Sequence, residues 1–425
     1  MLKKTVSNLV TIASSDVLTR GTFLLFNIMV ARKLTLEDFG IYGLSISLAF
    51  WLWALADGGY TTHSIKTVSQ TSSVQWPQIV GETVMSRGIL SLVTMAGLSL
   101  VLMVIRIPVY EIEVYCVTGL YAIAFSLFPG WLMRGVQDNK GYFWVYGIVS
   151  VAMGCALAAF LLLSPTLQNA LAASFWRSAA WIVGAAVGLR FTLSRLKIRI
   201  HRKDLRMNWP MLRSTYPLGV AAILYALIPI VSLAALRSTG VSPELAQYSA
   251  AWQIQQVFIV GAGVFSASLI PMLVRALNER EGQLRRILRL HFGLLFAVAG
   301  GLSFLLWLGG PLLISVAFGE RYAAATEGIG IFSIVLFIVF VRRSLDSVLI
   351  AIGKYRTMSL TGIAALFLSV AALAMISVHD VKSAAWVYLA GEGGLLVLNA
   401  GAAVVGFPTL RRACVFNGPG APYKA

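Results

Sequence analysis

The chain reads as an all-α polytopic membrane protein with about twelve transmembrane helices, and three observations lead there. Hydrophobic residues make up 58% of its 425 positions and gather into runs of about 20. A helix rising ~1.5 Å per residue needs that length to cross a hydrocarbon core ~30 Å thick. The gaps between runs are short; the longest, from about Thr192 to Arg213, is far below the ~50 residues a folded extramembranous domain requires. Finally, 34 Lys and Arg oppose 17 Asp and Glu, and the basic residues crowd into every second gap.

Taken in order, the first span centres near Phe23; Asp16 and Arg20 within it deny it the compact apolar core of a cleavable signal peptide. The second, near Phe50, opens at Asp38–Tyr42 and closes at Asp57-Gly58-Gly59. The third and fourth, near Thr94 and Phe125, flank Arg106 on one side, and Lys140 leads into the fifth, near Gly154. The sixth, near Ala180, ends at Arg190 and Arg195. Spans seven to twelve centre near Tyr225, Phe258, Leu302, Leu336, Leu366 and Leu395. With the N-terminus inside, about 23 of the 34 basic residues fall in cytoplasmic gaps and about 6 in outer ones, so the positive-inside rule places both termini in the cytoplasm.

The spans divide into two sets of six. Asp38-Phe39-Gly40-Ile41-Tyr42 before the second span and Glu244-Leu245-Ala246-Gln247-Tyr248 before the eighth share an acidic, apolar, small, any, Tyr order. Asn139-Lys140-Gly141-Tyr142 similarly pairs with Gly353-Lys354-Tyr355-Arg356. The expected organisation is a six-helix lobe over residues 1–194, a basic cytoplasmic linker over 195–213, and a second six-helix lobe with a short tail over 214–425. Six is even, so both lobes enter the bilayer from the same side as parallel repeats, with a central cavity expected between them as the substrate site.

Several function classes are excluded by what is missing. There is no glycine-rich phosphate loop ending in Gly-Lys-Ser/Thr, no His-Glu-x-x-His and no Cys-x-x-Cys. His63, His201, His291 and His379 are far apart, as are Cys116, Cys155 and Cys414, so no metal, cofactor or disulfide framework is expected. The net charge of +17 follows topology and lacks the aromatic interleaving of an RNA-binding surface, so nucleic acid is not an expected partner. Arg195 to Arg206 and Leu284 to Leu290 alternate basic and apolar residues, a pattern for contact with anionic lipid headgroups.

What remains is ionisable residues inside spans, each costing about 2.5–3.5 kcal/mol at a helix centre on insertion scales. Arg177, in Ser174-Phe175-Trp176-Arg177-Ser178, has no acid within two turns and is the leading candidate to meet an anion; its plain structural reading is snorkelling or contact with helix carbonyls. Arg20 has Asp16, and Arg342 has Asp346, at the i,i+4 spacing of a self-neutralised pair. Arg343 competes for Asp346, which leaves one of the two arginines over. Arg87 lies near Glu82, where snorkelling is expected. Asp57 and Glu392, the latter flanked by Gly391, Gly393 and Gly394, are candidates with Asp346 for a coupling cation or proton, or for pairing with an arginine.

Val30-Ala31-Arg32-Lys33-Leu34-Thr35-Leu36-Glu37-Asp38-Phe39-Gly40-Ile41-Tyr42 resembles the A-R-x-L-G-P-E-D-F-G-x-Y signature of the Wzx-type polysaccharide transporters, flippases of the multidrug/oligosaccharidyl-lipid/polysaccharide superfamily. Thr35-Leu36 stands where that signature has Gly-Pro. Leu55–Gly59 resembles the following L-x-D-x-G turn, Phe318–Ala325 the F-G-x-x-Y-x-x-A loop, and Ala351–Lys354 the x-x-G-K turn. The resemblance implies two six-helix lobes around a cavity in the bacterial cytoplasmic membrane. It implies transfer of undecaprenyl-diphosphate-linked oligosaccharide for O-antigen, capsule or exopolysaccharide synthesis, beside a polysaccharide polymerase and chain-length machinery. For such cargo Arg177, Arg20 and Arg342 or Arg343 are the expected diphosphate contacts, because a guanidinium's planar donors match phosphate oxygens. A cation-coupled drug exporter of the same superfamily is the alternative. A membrane polymerase or ligase fits less well, since the outer gaps are all short.

Overall fold

The computed structural model describes residues 2–240, 243–278 and 281–416, with side chains over most of them. Fourteen α-helices follow one another among these residues: α1 (Leu2–Lys33), α2 (Leu36–Asp57), α3 (Tyr60–Gln70), α4 (Trp76–Val104), α5 (Val109–Leu127), α6 (Gly130–Gly135), α7 (Asn139–Leu161), α8 (Ala170–Arg195), α9 (Trp209–Ser238), α10 (Pro243–Asn278), α11 (Glu281–Phe318), α12 (Ile329–Ala351), α13 (Tyr355–Met375) and α14 (Val381–Phe416). Each of the twelve expected span centres falls on its own long helix. Ten of those helices are long and apolar enough, over their described residues, to cross a membrane. The fold is therefore all-α and polytopic.

Helix ends follow local chemistry. Thr35 caps α2 by accepting from the Asp38 amide at 3.1 Å, and Tyr110 at the start of α5 donates to Asp38 Oδ1 at 2.7 Å. Asn169 caps α8 through the Ala172 amide. Two helices have no counterpart in the hydropathy pattern because they are far shorter than a span: α3 and α6. The break between α2 and α3 is Gly58-Gly59, both left-handed (φ 50° and 87°). A Cβ on Gly59 would also lie 2.9 Å from the Thr215 carbonyl oxygen of α9. That turn requires glycine both for its dihedrals and for the approach of α9.

The chain divides into two compact units, Met1–Ala226 with Val241–Ala246, and Leu227–Gly240 with Gln247–Ala425. The division runs through α9. In the first unit α8 packs on α7, α5 and α2, and α1 packs on α7. The opening turn of α10 belongs here too: a Cβ on Gly40 would be 3.2 Å from Leu245 Cβ and Ala246 N, so the two copies of the repeated five-residue pattern touch. In the second unit α12 and α13 both pack on α14, and α11 packs on α12. Gln247 clamps the turn after α11 by donating to the Arg321 carbonyl at 2.7 Å and accepting from the Ala325 amide at 3.1 Å.

The basic linker is a strap across one end of the first unit. Its alternation resolves into two faces, with Ile198 and Ile200 packed among Val68, Val80, Trp131 and Leu132 and Lys197, Arg199, Arg202 and Lys203 exposed. Glu82 holds its far end, accepting from Arg206 Nε at 2.8 Å and Asn208 Nδ2 at 2.6 Å. Asp138 holds its near end. It caps α7 through the Gly141 amide at 2.9 Å and pairs with Arg195 at the end of α8.

The Arg195 hydrogen bond, followed by the Gly141 amide, holds the Asp138 carboxyl below its ordinary value even though partial burial opposes this. The folded pKa lies below the unfolded one near ~3.9, so the pair stabilises the fold above that pH and is lost as pH falls through the folded value. Replacing Asp138 with Asn keeps the cap and removes the charge. With Arg195 partly exposed, the expected loss is at most about 1 kcal/mol at pH 7, and the Tm difference between Asp138→Asn and the parent should disappear as the pH falls through the folded Asp138 value.

Candidate functional site

In the first unit, α8 carries Arg177 into the interior, where its side chain is 5% exposed. Its guanidinium lies 5.8 Å from the Phe23 ring of α1 and 6.0 Å from the Tyr121 ring of α5, beside the Tyr42 hydroxyl, which itself donates to Asn27 Oδ1 at 2.9 Å. Arg177 Nε and Nη1 are buried and have no hydrogen-bond acceptor. No carboxylate among the described residues forms an ion pair with it. A run of rings continues from there. Trp181 stacks on Phe23 at 5.2 Å and meets Tyr121 edge-on at 4.9 Å; Phe125 follows Tyr121 one turn on at 6.0 Å; Trp53 of α2 meets Phe125 at 4.7 Å.

At the other end of this run sits Arg87 of α4, 1% exposed. It pairs with Asp57 at 3.4 Å, donates from Nη2 to the Phe125 carbonyl at 2.8 Å, and lies 5.2 Å from the Phe125 ring. The expectation that Arg87 snorkels near Glu82 is corrected: burial leaves it no route to the interface, and Glu82 is taken by the strap. Asp57 is further tied to Thr61, whose hydroxyl donates to Oδ1. Arg20 is exposed, and its expected partner Asp16 has its carboxylate outside the described residues.

In the second unit Arg342 is buried between two acids. Its Nη1 donates to Asp346 Oδ2 at 2.8 Å and its Nε to Glu392 Oε2 at 2.7 Å. Asn399 of α14 donates to Asp346 Oδ1 at 2.7 Å and accepts from Thr361 of α13 at 2.6 Å. Asp346 is thus the intrahelical partner of Arg342, as its i,i+4 spacing allows, while Arg343 is half-buried and contributes to the field at Asp346. Gly391 and Gly394 bring α14 against Ser369 and Leu368 of α13, where a Cβ would collide. Three of the sequence candidates, Arg342, Asp346 and Glu392, are brought together here; Arg177 and Asp57 are placed on the ring run of the first unit.

Sequence reasoning did not find Arg87 as the partner of Asp57, nor Asn399 and Thr361 as ligands of the second cluster. Their partners lie on other helices, and no spacing rule relates residues thirty or more positions apart. The ring run had a partial sequence signal in Trp51-Leu52-Trp53 near a span end, where interfacial anchoring is the default reading; Tyr121 and Phe125 carried none.

Residues 5–277 match the family model described as polysaccharide biosynthesis protein. No curated protein matches the sequence. Among solved structures, the inward-facing conformation of a multidrug resistance MATE family transporter of the MOP superfamily aligns with a TM-score of 0.68 at 13% identity, covering 93% of this chain and 96% of that one. A MOP superfamily transporter from Pyrococcus furiosus, described by a binding pocket of reverse polarity that suggests a different function, aligns with a TM-score of 0.67 at 14% identity over 96% and 95% of the two chains. A MATE protein in complex with MaL6 aligns with a TM-score of 0.67 at 11% identity over 95% and 97%. At these identities the likeness is one of fold.

Removing Arg342 alone would strand two buried carboxylates. Arg342→Met is expected to cost about 3–5 kcal/mol, read as a fall in detergent Tm. The triple variant Arg342→Met, Asp346→Asn, Glu392→Gln should recover most of that loss, because the coupling among the three is not additive.

Proposed function

The chain belongs to the polysaccharide biosynthesis protein family, and we propose that it is a flippase carrying undecaprenyl-diphosphate-linked oligosaccharide from the inner to the outer leaflet of a bacterial cytoplasmic membrane, by alternating access. The observation that carries this reading is Arg177, a guanidinium held in the apolar interior without a carboxylate and with two unused donors. A cation left unneutralised in low dielectric attracts an anion strongly, and a diphosphate offers only acceptors. Transfer of that headgroup through bare hydrocarbon is prohibitive, so a protein that moves it must supply such contacts inside the bilayer. Arg20, exposed one turn before Phe23, is the further diphosphate contact of the first unit, and Arg343 is the candidate anion contact of the second. Arg342, held by two acids, positions the second cluster rather than the cargo.

Cation coupling, if the transporter uses it, belongs to the cluster of two carboxylates on one guanidinium: protonation of Asp346 or Glu392 would release Arg342 from one of them. Asp57, with Arg87 and Thr61 as partners, is the corresponding group in the first unit. Both termini lie in the cytoplasm in this reading, and the polymerase and chain-length machinery receive the flipped product.

The second reading, a cation-coupled drug exporter, is favoured by the MATE likeness of the fold. Deleting the gene separates the two. The flippase reading expects lipid-linked oligosaccharide to accumulate in the inner leaflet, judged by extraction, mass analysis and a membrane-impermeant probe. It expects the parent gene to clear it and Arg177→Gln to clear it at least tenfold more slowly. Unchanged lipid-linked glycan together with altered drug resistance would overturn it in favour of the exporter. Accumulation in the outer leaflet would point to a polymerase or ligase.

A further inference from the structure

The strap across the first unit carries a surface charge that no cargo reading uses. The acids that hold it are already engaged. Asp138 pairs with Arg195 and caps α7, and Glu82 accepts from Arg206 at 2.8 Å and Asn208 at 2.6 Å. Asp204 is buried and accepts from the His201 amide at 2.8 Å. Lys197, Arg199, Arg202 and Lys203 remain exposed, and none of them pairs with a carboxylate among the described residues. Their backbone is fixed. Lys197 is left-handed (φ 54°) and turns the chain out of α8, after which Ile198 and Ile200 pack on the core while Lys197 and Arg199 stay outside it. A single 3-10 turn, Arg202–Asp204, follows. A Cβ on Gly81 of α4 would lie 2.5 Å from the Asp204 carbonyl oxygen, so the strap runs directly against the α4 backbone.

The helices on either side, Ala170–Arg195 and Trp209–Ser238, are both long and apolar enough to cross a membrane, so the two ends of the strap meet the membrane boundary. Beside its cations Leu205 and Trp209 are exposed, by 44% and 60%, and tryptophan favours the level where hydrocarbon gives way to headgroups. An acidic protein would answer the charge but not an exposed tryptophan opening a span; an anionic bilayer answers both. We propose that the strap is a docking surface for the anionic phospholipid headgroups of the surrounding bilayer. Lys197, Arg199, Arg202 and Lys203 meet the phosphates, and Leu205 and Trp209 sit at the acyl boundary. Clusters of about 4–8 basic residues beside a span suit this role, each worth about fivefold in affinity for an anionic surface. Lipid held there anchors the first unit through the segment that Asp138 and Glu82 tie to it. Cargo identity does not enter, so this surface and the flippase reading stand or fall separately.

The test uses the full chain in neutral detergent micelles, with tail-labelled phosphatidylglycerol and phosphatidylcholine followed by fluorescence anisotropy. Phosphatidylglycerol is expected to bind about tenfold or more tightly than phosphatidylcholine, and the gap should close as salt rises from about 50 to about 500 mM. The quadruple variant Lys197→Gln, Arg199→Gln, Arg202→Gln, Lys203→Gln should bring the preference below about threefold with the detergent Tm unchanged. If its Tm falls, the two double variants, Lys197→Gln with Arg199→Gln and Arg202→Gln with Lys203→Gln, should each remove about half of the preference on a logarithmic scale. A comparison variant with Gln at Lys33, Arg106, Lys354 and Lys382, all exposed, removes the same charge and should keep the preference. Equal affinity for the two lipids, a preference that survives loss of the strap cations, or an equal loss in the comparison variant would each overturn the assignment. Tighter binding of soluble polyglutamate than of phosphatidylglycerol would also overturn it, in favour of an acidic protein.

Discussion

Hydrocarbon cannot solvate a charge, and that constraint organises this protein. Every ionised group inside a span must find an opposite charge, reach the interface, or serve the cargo. Asp57 and Arg87 satisfy one another across α2 and α4, and Arg342 satisfies Asp346 and Glu392 across α12 and α14. Glu82, near the end of its helix, is answered by the linker. These pairs also fix which helices are neighbours, because a buried pair that loses one member leaves the other stranded at a cost of several kcal/mol. Against that background Arg177 stands out: among the described residues, the same constraint that pairs the rest leaves it with aromatic faces and a tyrosine hydroxyl.

The aromatic residues make that exception tolerable. A guanidinium beside the rings of Phe23 and Tyr121 gains cation–π attraction of about 0.5–2 kcal/mol, less than the cost of its burial. In the proposed role that imbalance is what an anion would gain from, since full neutralisation would leave nothing. The pair at Arg87 shows the contrasting arrangement. Its charge is answered by Asp57 and one donor goes to a backbone carbonyl, so what is left over is a single directional hydrogen bond rather than an unbalanced charge. Two arginines on one ring run therefore offer two different chemistries.

The basic strap shows how a surface sequence acquires structure. Its alternation of basic and apolar residues suits headgroup contact, and the exposed Lys197, Arg199, Arg202 and Lys203 remain available for that. The apolar half is used otherwise, with Ile198 and Ile200 packed onto α3, α4 and α6. Hydrophobic burial at one face and the Asp138 and Glu82 contacts at the ends hold the segment to the first unit.

By itself the sequence determined the number, order and expected sidedness of the spans. Each of these depends on composition within a window of about 20 residues and on the charge of short gaps, both local properties. It also determined which in-span residues needed explaining, and the i,i+4 spacing of Arg342 and Asp346 allowed one pair, for which Arg343 competed. Only the tertiary structure decided that Glu392 shares that arginine, that Arg87 belongs to Asp57 rather than to the interface, and that Trp181, Tyr121 and Phe125 form one run beneath Arg177. The short helices α3 and α6 belong to the same class: eleven and six residues leave no hydropathy signature of a span, and their place is set by what packs on them. The physical reason is common to all of these. Which partner a buried charge or ring meets depends on helix rotation and neighbour choice, and those are settled by close packing between segments far apart in the chain.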